Sequence, residues 1–303
     1  MSHMGDVLAG IHSTWEFDTD SVIIRYERGI RTPKLFHVLR ERRIPYSALS
    51  RVEVSEGSRR GTVALRAVPR PGADPLLDAA DGQLKESCDP YRLLLPVGKQ
   101  TLAEYYATEL SSMLGTDAGQ PAASHLVAPP EAPLQFKAYD GKAMFDGKSV
   151  VFRWFWTGAS SAKWKAGDQR FAIGELAGVE WRSPDALGGH LRLLRRGADA
   201  PDEQPGEPDQ DPATVVFGLG YGLVHESLPL AAAVLAAVRD AEPAPVLETA
   251  AAAGAGRPAS ARPGRADPAD IADRIRHLGE LHEAGLLTDG EFSAKKADLL
   301  AEL

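Results

Sequence analysis

Residues Gly61 to Val68 alternate apolar and polar, with Val63 and Leu65 on the apolar side, and this predicts a half-buried strand. Ser21 to Tyr26 is rich in β-branched residues and leaves an Asp18-Thr19-Asp20 turn, so it reads as a second strand. Arg43 to Val54 reads as strand, turn, strand, and Pro90 to Val97 as one more strand, with turns over Pro69 to Gln83. The period then changes. Leu102, Tyr105, Tyr106, Leu110 and Met113 recur at helical spacing, and Thr101 with Glu104 makes a capping box at the start of that helix. Its apolar stripe must be covered by the strands before it, so the unit is strands first and one helix last.

The unit is written twice. Phe17-Asp18-x-x-Ser21-Val22-x-x-Arg25-Tyr26 returns as Phe145-Asp146-x-x-Ser149-Val150-x-x-Arg153-Trp154. Arg43, Leu49, Val52 and Glu53 return as Arg170, Leu176, Val179 and Glu180, and Asp89-Pro90 returns as Asp211-Pro212. Gly189 to Leu194 answers Gly61 to Arg66. A second terminal helix spans Ser227 to Arg239, with Leu228, Ala231, Ala232, Leu235 and Val238 on one face. The expected class is therefore mainly β (α+β), with repeats over residues 10–116 and 134–241.

Between the repeats, residues 117–133 are rich in Ala, Pro and Gly and read as a linker between compact units. The Pro-rich, acidic run from Gly197 to Gln210 reads as a solvated hairpin tip. Residues 242–267 are almost all Ala, Gly, Pro and Arg, which predicts a flexible tether. Helical period resumes over 268–303, where Ile271, Ile275, Leu278 and Leu281 mark one helix. Gly285 then sits at a C-cap, and Thr288 with Glu291 opens a second helix carrying Phe292, Leu299 and Leu300. Two such helices bury too little apolar surface alone and need a partner.

Composition changes this picture little. The 303 residues are 44% hydrophobic and 25% charged, and 29 Gly with 22 Pro favour turn-rich β structure. The net charge of −8 argues against nucleic acid as partner, although a local basic patch remains compatible with it. A single cysteine, Cys88, allows no intramolecular disulfide and no thiolate cluster. No apolar run reaches the length of a membrane span, and the N-terminus lacks a secretory pattern, so a cytoplasmic location is expected.

Residues 15 to 240 resemble domain-of-unknown-function family 4429, an actinobacterial family. The matching features include Trp15-x-Phe17-Asp18, Asp74-Pro75-Leu76-Leu77, Asp89-Pro90-Tyr91, Phe145-Asp146-Gly147 and Val179-Glu180-Trp181. The tail pattern Leu278-x-x-Leu281, Gly285-Leu286-Leu287-Thr288-x-x-Glu291-Phe292, Lys295-Lys296-x-x-Leu299-Leu300 is similar to the short C-terminal (SHOCT) domain. The first resemblance implies two tandem pleckstrin-homology-like β-sandwich or barrel repeats, each closed by a C-terminal helix. The second implies a helical hairpin that oligomerises or docks. Neither family brings a reaction.

Three groups of residues are candidates for function. Arg28, Arg31, Lys34, Arg40, Arg42 and Arg43 crowd one segment. In lipid-binding pleckstrin-homology domains the loop joining the first two strands grips phosphates, and these residues are assigned to that stretch; the bland reading is a solvated loop paired with the acidic remainder. Trp154-Phe155-Trp156 is read as lying in one strand, whose faces alternate, so Trp154 and Trp156 are candidate protein contacts. On the tail the candidates are Leu278, Leu281, Phe292, Leu299 and Leu300. Phe217-Gly218-Leu219-Gly220-Tyr221-Gly222 lacks the spacing of a nucleotide loop and reads as a glycine-rich turn. The histidines have no metal-site spacing, and no two groups have distinct acid and base roles, so no catalytic residue, metal or cofactor is assigned. The expected function is a non-catalytic interaction module, self-associating through its tail and gripping a protein partner. The alternative is a peripheral binder of anionic membrane or a phospholigand.

Overall fold

The computed structural model describes residues 6–197 and 207–241. Strand β1 (Asp6–Ala9) lies upstream of the expected start of the first repeat and pairs antiparallel with β2 (Ser13–Phe17). β3 (Ser21–Tyr26) and β4 (Glu41–Pro45) complete a four-stranded sheet in chain order, with helix α1 (Lys34–Leu39) between them. β5 (Leu49–Glu56), β6 (Thr62–Pro69) and β7 (Arg92–Pro96) form a three-stranded sheet, with α2 (Pro75–Ala80) before β7 and α3 (Gln100–Ser112) after it. Trp15, Ile24, Ile44, Leu65 and Leu93 fill the core of this repeat.

The second repeat follows the same order. β8 (Leu134–Lys137), β9 (Gly141–Phe145), β10 (Ser149–Trp154) and β11 (Gln169–Ala172) make the four-stranded sheet, with α4 (Ser161–Ala166) between β10 and β11. β12 (Leu176–Arg182), β13 (His190–Arg195) and β14 (Thr214–Val216) make the three-stranded one, followed by α5 (Val224–Asp240).

The register confirms the duplication expected from the motifs. Phe17 pairs with Val22 as Phe145 pairs with Val150, and both phenylalanines are buried. The ladder slips once between Leu49 and Arg51, and again at the equivalent Leu176 and Gly178. Asp89 accepts the Tyr91 N–H and pairs with Arg66 on β6, while Asp211 accepts the Ala213 N–H and pairs with Arg192 on β13. A short carboxylate ahead of proline thus fixes the same turn in both copies.

Two helices stand where the sequence reading placed turns or loop. α2 forms because the Asp74 side chain accepts the Leu76 N–H and Pro75 occupies the first turn, where its missing N–H costs nothing. α1 forms because Leu35 and Phe36 are drawn into the core. At α3 the expected capping box is not made. The helix begins at Gln100 with no side-chain cap, and the Glu104 carboxylate instead accepts from the Gln100 side-chain Nε2. Only Ala103 and Leu110 of α3 are buried, whereas Leu102, Tyr105 and Met113 are 40%, 43% and 49% exposed. The expected stripe is therefore only partly covered.

α5 is its opposite. Leu228, Leu230, Ala231, Ala232 and Val234 are all fully buried, because α5 packs on β12 of its own repeat and on α1 and α2 of the other. Full burial of side chains such as Leu228, Leu230 and Val234 contributes roughly 1.5–3 kcal/mol each. The many alanines let neighbours approach from both sides. Polar contacts fix the helix at each end. Trp181 Nε1 donates to Ser227 Oγ at 2.9 Å, and Arg239 donates to the carbonyls of Gly72 and Ala122 at 2.9 and 3.1 Å. Gln83 joins the repeats directly, donating to the Trp181 carbonyl and accepting the Ser183 N–H, each at 2.9 Å.

Residues 117–133 are accordingly not a loose linker between separate units. Ala122 and Val127 are buried, and the Ala122 and Leu126 N–H groups donate to the carbonyls of Pro71 and Ala73. All described residues fall in one compact unit. No described helix is long and apolar enough to cross a membrane.

Candidate functional site

The basic segment joins β3 to β4, not the first two strands, and its cations part ways. Arg42 projects inward from β4 and is buried. It makes a bidentate pair with Asp74 at 2.7 and 2.8 Å, while the Tyr91 hydroxyl donates to the same carboxylate at 2.8 Å. A buried charge persists only when paired and hydrogen-bonded, and burial is opposed here by Asp74, which holds the guanidinium pKa above its ordinary value. Arg42 is thus unavailable to an anion. Arg43 points outward and is held by Asp18 and Asp20 at 3.0 and 2.8 Å, and the flanking Arg25 is held by Glu16 and Glu41. Arg28, Arg31, Lys34 and Arg40 are exposed and meet no carboxylate among the described residues. Strand alternation explains the sorting: consecutive β4 residues face opposite sides, one to the core and one to water.

The aromatic run divides likewise. β10 ends at Trp154, so Trp154, Phe155 and Trp156 are not in one strand. Trp154 is 4% exposed and donates through Nε1 to the Gly167 carbonyl, which makes it core and not a partner contact. Trp156 lies in the turn beyond the strand, 45% exposed, with its ring edge-on to Trp164 at 5.3 Å. Leu278, Leu281, Phe292, Leu299 and Leu300 lie outside the described residues.

Beneath Trp154 lies a group that sequence reasoning missed. Lys163 is fully buried, with Nζ 2.6 Å from Asp140 Oδ2, 2.7 Å from the Pro208 carbonyl and 5.0 Å from the Trp154 ring centre. Desolvation lowers the Lys163 pKa and raises that of Asp140, each opposed by the partner's charge. A lysine at helical spacing gives no signal of burial, because its aspartate is 23 residues away.

Lys34 borders a cleft of about 530 Å³ that both repeats build. Its other walls are the β12–β13 turn around Leu187, the glycine-rich turn after β14 at Leu219, and the start of α5 at Val224 and His225. That turn matches the sequence reading. Gly220 and Gly222 take φ of 82° and 66°, and a Cβ on Gly222 would collide with the Phe217 ring. Leu187 and Leu219 stand almost fully in solvent at 93% and 102%. Burial lowers the His225 pKa, Glu226 opposes this, and Lys34 and His37 lower it further. The cleft therefore offers the Lys34 ammonium, the His225 imidazole, the Asp185 carboxylate (paired with Lys85 at 3.0 Å) and two protruding aliphatic side chains. Among the described residues no group of three or more His, Cys, Asp or Glu could hold a metal ion. Cys88 is half-buried, and its thiol pKa is raised by burial.

Comparison with known families finds the domain of unknown function (DUF4429) over residues 15–111 and 143–235. The short C-terminal domain (SHOCT) matches residues 273–300. No curated protein matches the chain. The two DUF4429 regions coincide with the two β repeats.

Proposed function

The chain belongs to the DUF4429 family, and we propose that it is a non-catalytic interaction module of two pleckstrin-homology-like repeats. The four-plus-three strand order ending in a helix supports that fold for each repeat. The observation that carries the functional reading is the cleft walled by Lys34 of one repeat and Leu187 and Leu219 of the other. Large aliphatic side chains held in solvent beside a concave surface mark a place that a partner covers. The buried ion pairs Arg42–Asp74 and Lys163–Asp140 are satisfied internally, and neither opens on the cleft. The SHOCT tail, on its tether, adds self-association or docking, through Leu278, Leu281, Phe292, Leu299 and Leu300, and raises valency.

Sedimentation velocity on the full chain and on a chain ending at 267 tests the tail. An assembly that becomes a monomer on truncation is expected, and two monomers would refute self-association. Cross-linking from cysteines placed at 187 and 219 tests the cleft: partner adducts should form at both and not at a distant exposed site such as 148.

A second reading rests on Arg28, Arg31, Lys34 and Arg40, which meet no carboxylate among the described residues and lie around the fully exposed Ile30. It makes the module a peripheral binder of anionic membrane. Co-sedimentation with anionic vesicles that falls steeply with salt would support it, and salt-insensitive background would remove it.

A further inference from the structure

A second cavity, of about 60 Å³, lies in the first repeat, away from the inter-repeat cleft. Four aromatic rings wall it: Phe17, Tyr46, Tyr105 and Tyr106. Phe17 and Tyr106 stack with ring centres 4.5 Å apart and planes 9° from parallel, and Tyr105 meets Tyr106 edge-on at 5.3 Å. Tyr46 is fixed by donating its hydroxyl to the Asp18 carbonyl at 2.7 Å. Three carboxylates border the same space: Asp6, Asp18 and Glu109. Among the described residues no lysine, arginine or histidine lines it. Asp18 is shared with Arg43, whose guanidinium reaches it from outside the cavity. Glu109 has no side-chain partner among the described residues.

Aromatic faces carry negative quadrupole potential, and carboxylates add full negative charge, so both components favour the same ligand. We infer that this cavity binds an organic cation, an alkylammonium or guanidinium head, between the tyrosine rings and the carboxylate rim. The inference goes beyond the proposed interaction module and does not depend on it. The second repeat supplies a built-in contrast. Its equivalent positions keep Phe145 and Asp146 but put Ile173 where Tyr46 stands, and its terminal helix is buried over most of its length and carries no tyrosine. Duplication thus preserved the hairpin while only the first copy has the aromatic wall. The site also accounts for the half-exposed face of α3: Tyr105 and Met113 border the opening.

Titration of the full chain with an acetylated trimethyllysine amide, an acetylated arginine amide and tetramethylammonium, followed by amide NMR, tests this and separates side-chain from free-cation sources. Saturable shifts confined to the amides of residues 17–19, 46 and 105–110 are expected with at least one probe. Tyr105→Leu and Glu109→Gln, both near the surface, should each weaken binding at least about fivefold while leaving the spectrum folded. The neutral isostere of trimethyllysine, in which carbon replaces the quaternary nitrogen, should bind more weakly by a similar factor. Equal binding of the neutral isostere, unchanged binding by both variants, or no saturable shift with any of the three cations would overturn the inference.

Discussion

Lys163 Nζ lies 2.6 Å from Asp140 Oδ2, with both side chains sealed from solvent. It occupies the place held by Phe36 in the first repeat: each is the third residue of its short helix and covers the aromatic that ends the third strand, Tyr26 or Trp154. A stacked phenylalanine in one copy has become a cation over a ring in the other. Removing the cation alone leaves a buried carboxylate, so Lys163→Met should cost about 3–5 kcal/mol. Adding Asp140→Asn should recover much of that loss, because the amide oxygen still accepts the Val216 N–H without a buried charge. Urea unfolding of both variants measures the difference.

The basic segment separates by the same criterion. Arg42→Met should unfold at markedly lower urea, by about 3–5 kcal/mol, since Asp74 loses its cation while still buried. Arg28→Glu and Arg31→Glu should change stability by less than about 0.5 kcal/mol. On the membrane reading, Arg28→Glu with Arg31→Glu should abolish co-sedimentation with anionic vesicles and Arg42→Met should not.

Gln83 is the simplest probe of how the repeats are joined. Gln83→Ala removes both hydrogen bonds to the β12 edge and should cost about 1–3 kcal/mol. The loss should appear equally in probes placed in either repeat, because both are anchored to that edge.

Acid sensitivity is expected at Asp146. Its own burial raises the pKa, but the N–H groups of Lys148 and Ser149, the Ser149 hydroxyl and Arg170 outweigh that and hold it at about 2. A carboxyl held below its unfolded value stabilises fully above that value and loses the contribution as pH falls towards the folded one. The window is therefore from about 4 down to about 2. The side chain is half-exposed, so the loss is under about 1 kcal/mol. Asp146→Asn should flatten the thermal midpoint across that window.

Much of the fold could be read from the chain because the copied features are local. The Asp-Pro turns, the Phe-Asp hairpins and the glycine-rich turn after Val216 each state their geometry within a few residues. α1 and α2 escaped because a six-residue helix shows too little period, although Asp74-Pro75 was a start signal in plain view. The roles of the terminal helices were not local at all. α3 and α5 both carry helical period, yet only packing decides that the alanine-rich α5 is sealed between repeats while the tyrosine-bearing α3 stays half in water. Arg42 and Arg43 look alike in sequence, and only the strand's facing makes one core and the other surface. The aromatic cavity draws on β1, β2, the segment after β4 and α3, which no spacing rule joins.

Everything rests on α5 welding two copies of one β unit into a single body. Native-state hydrogen exchange on the full chain tests this directly, by comparing the most protected amides of β3 and β6 with those of β10 and β13. One shared opening free energy is expected, falling in both repeats together when Val234→Ala thins the buried face of α5. Two distinct opening energies, with only the second repeat responding to Val234→Ala, would contradict it.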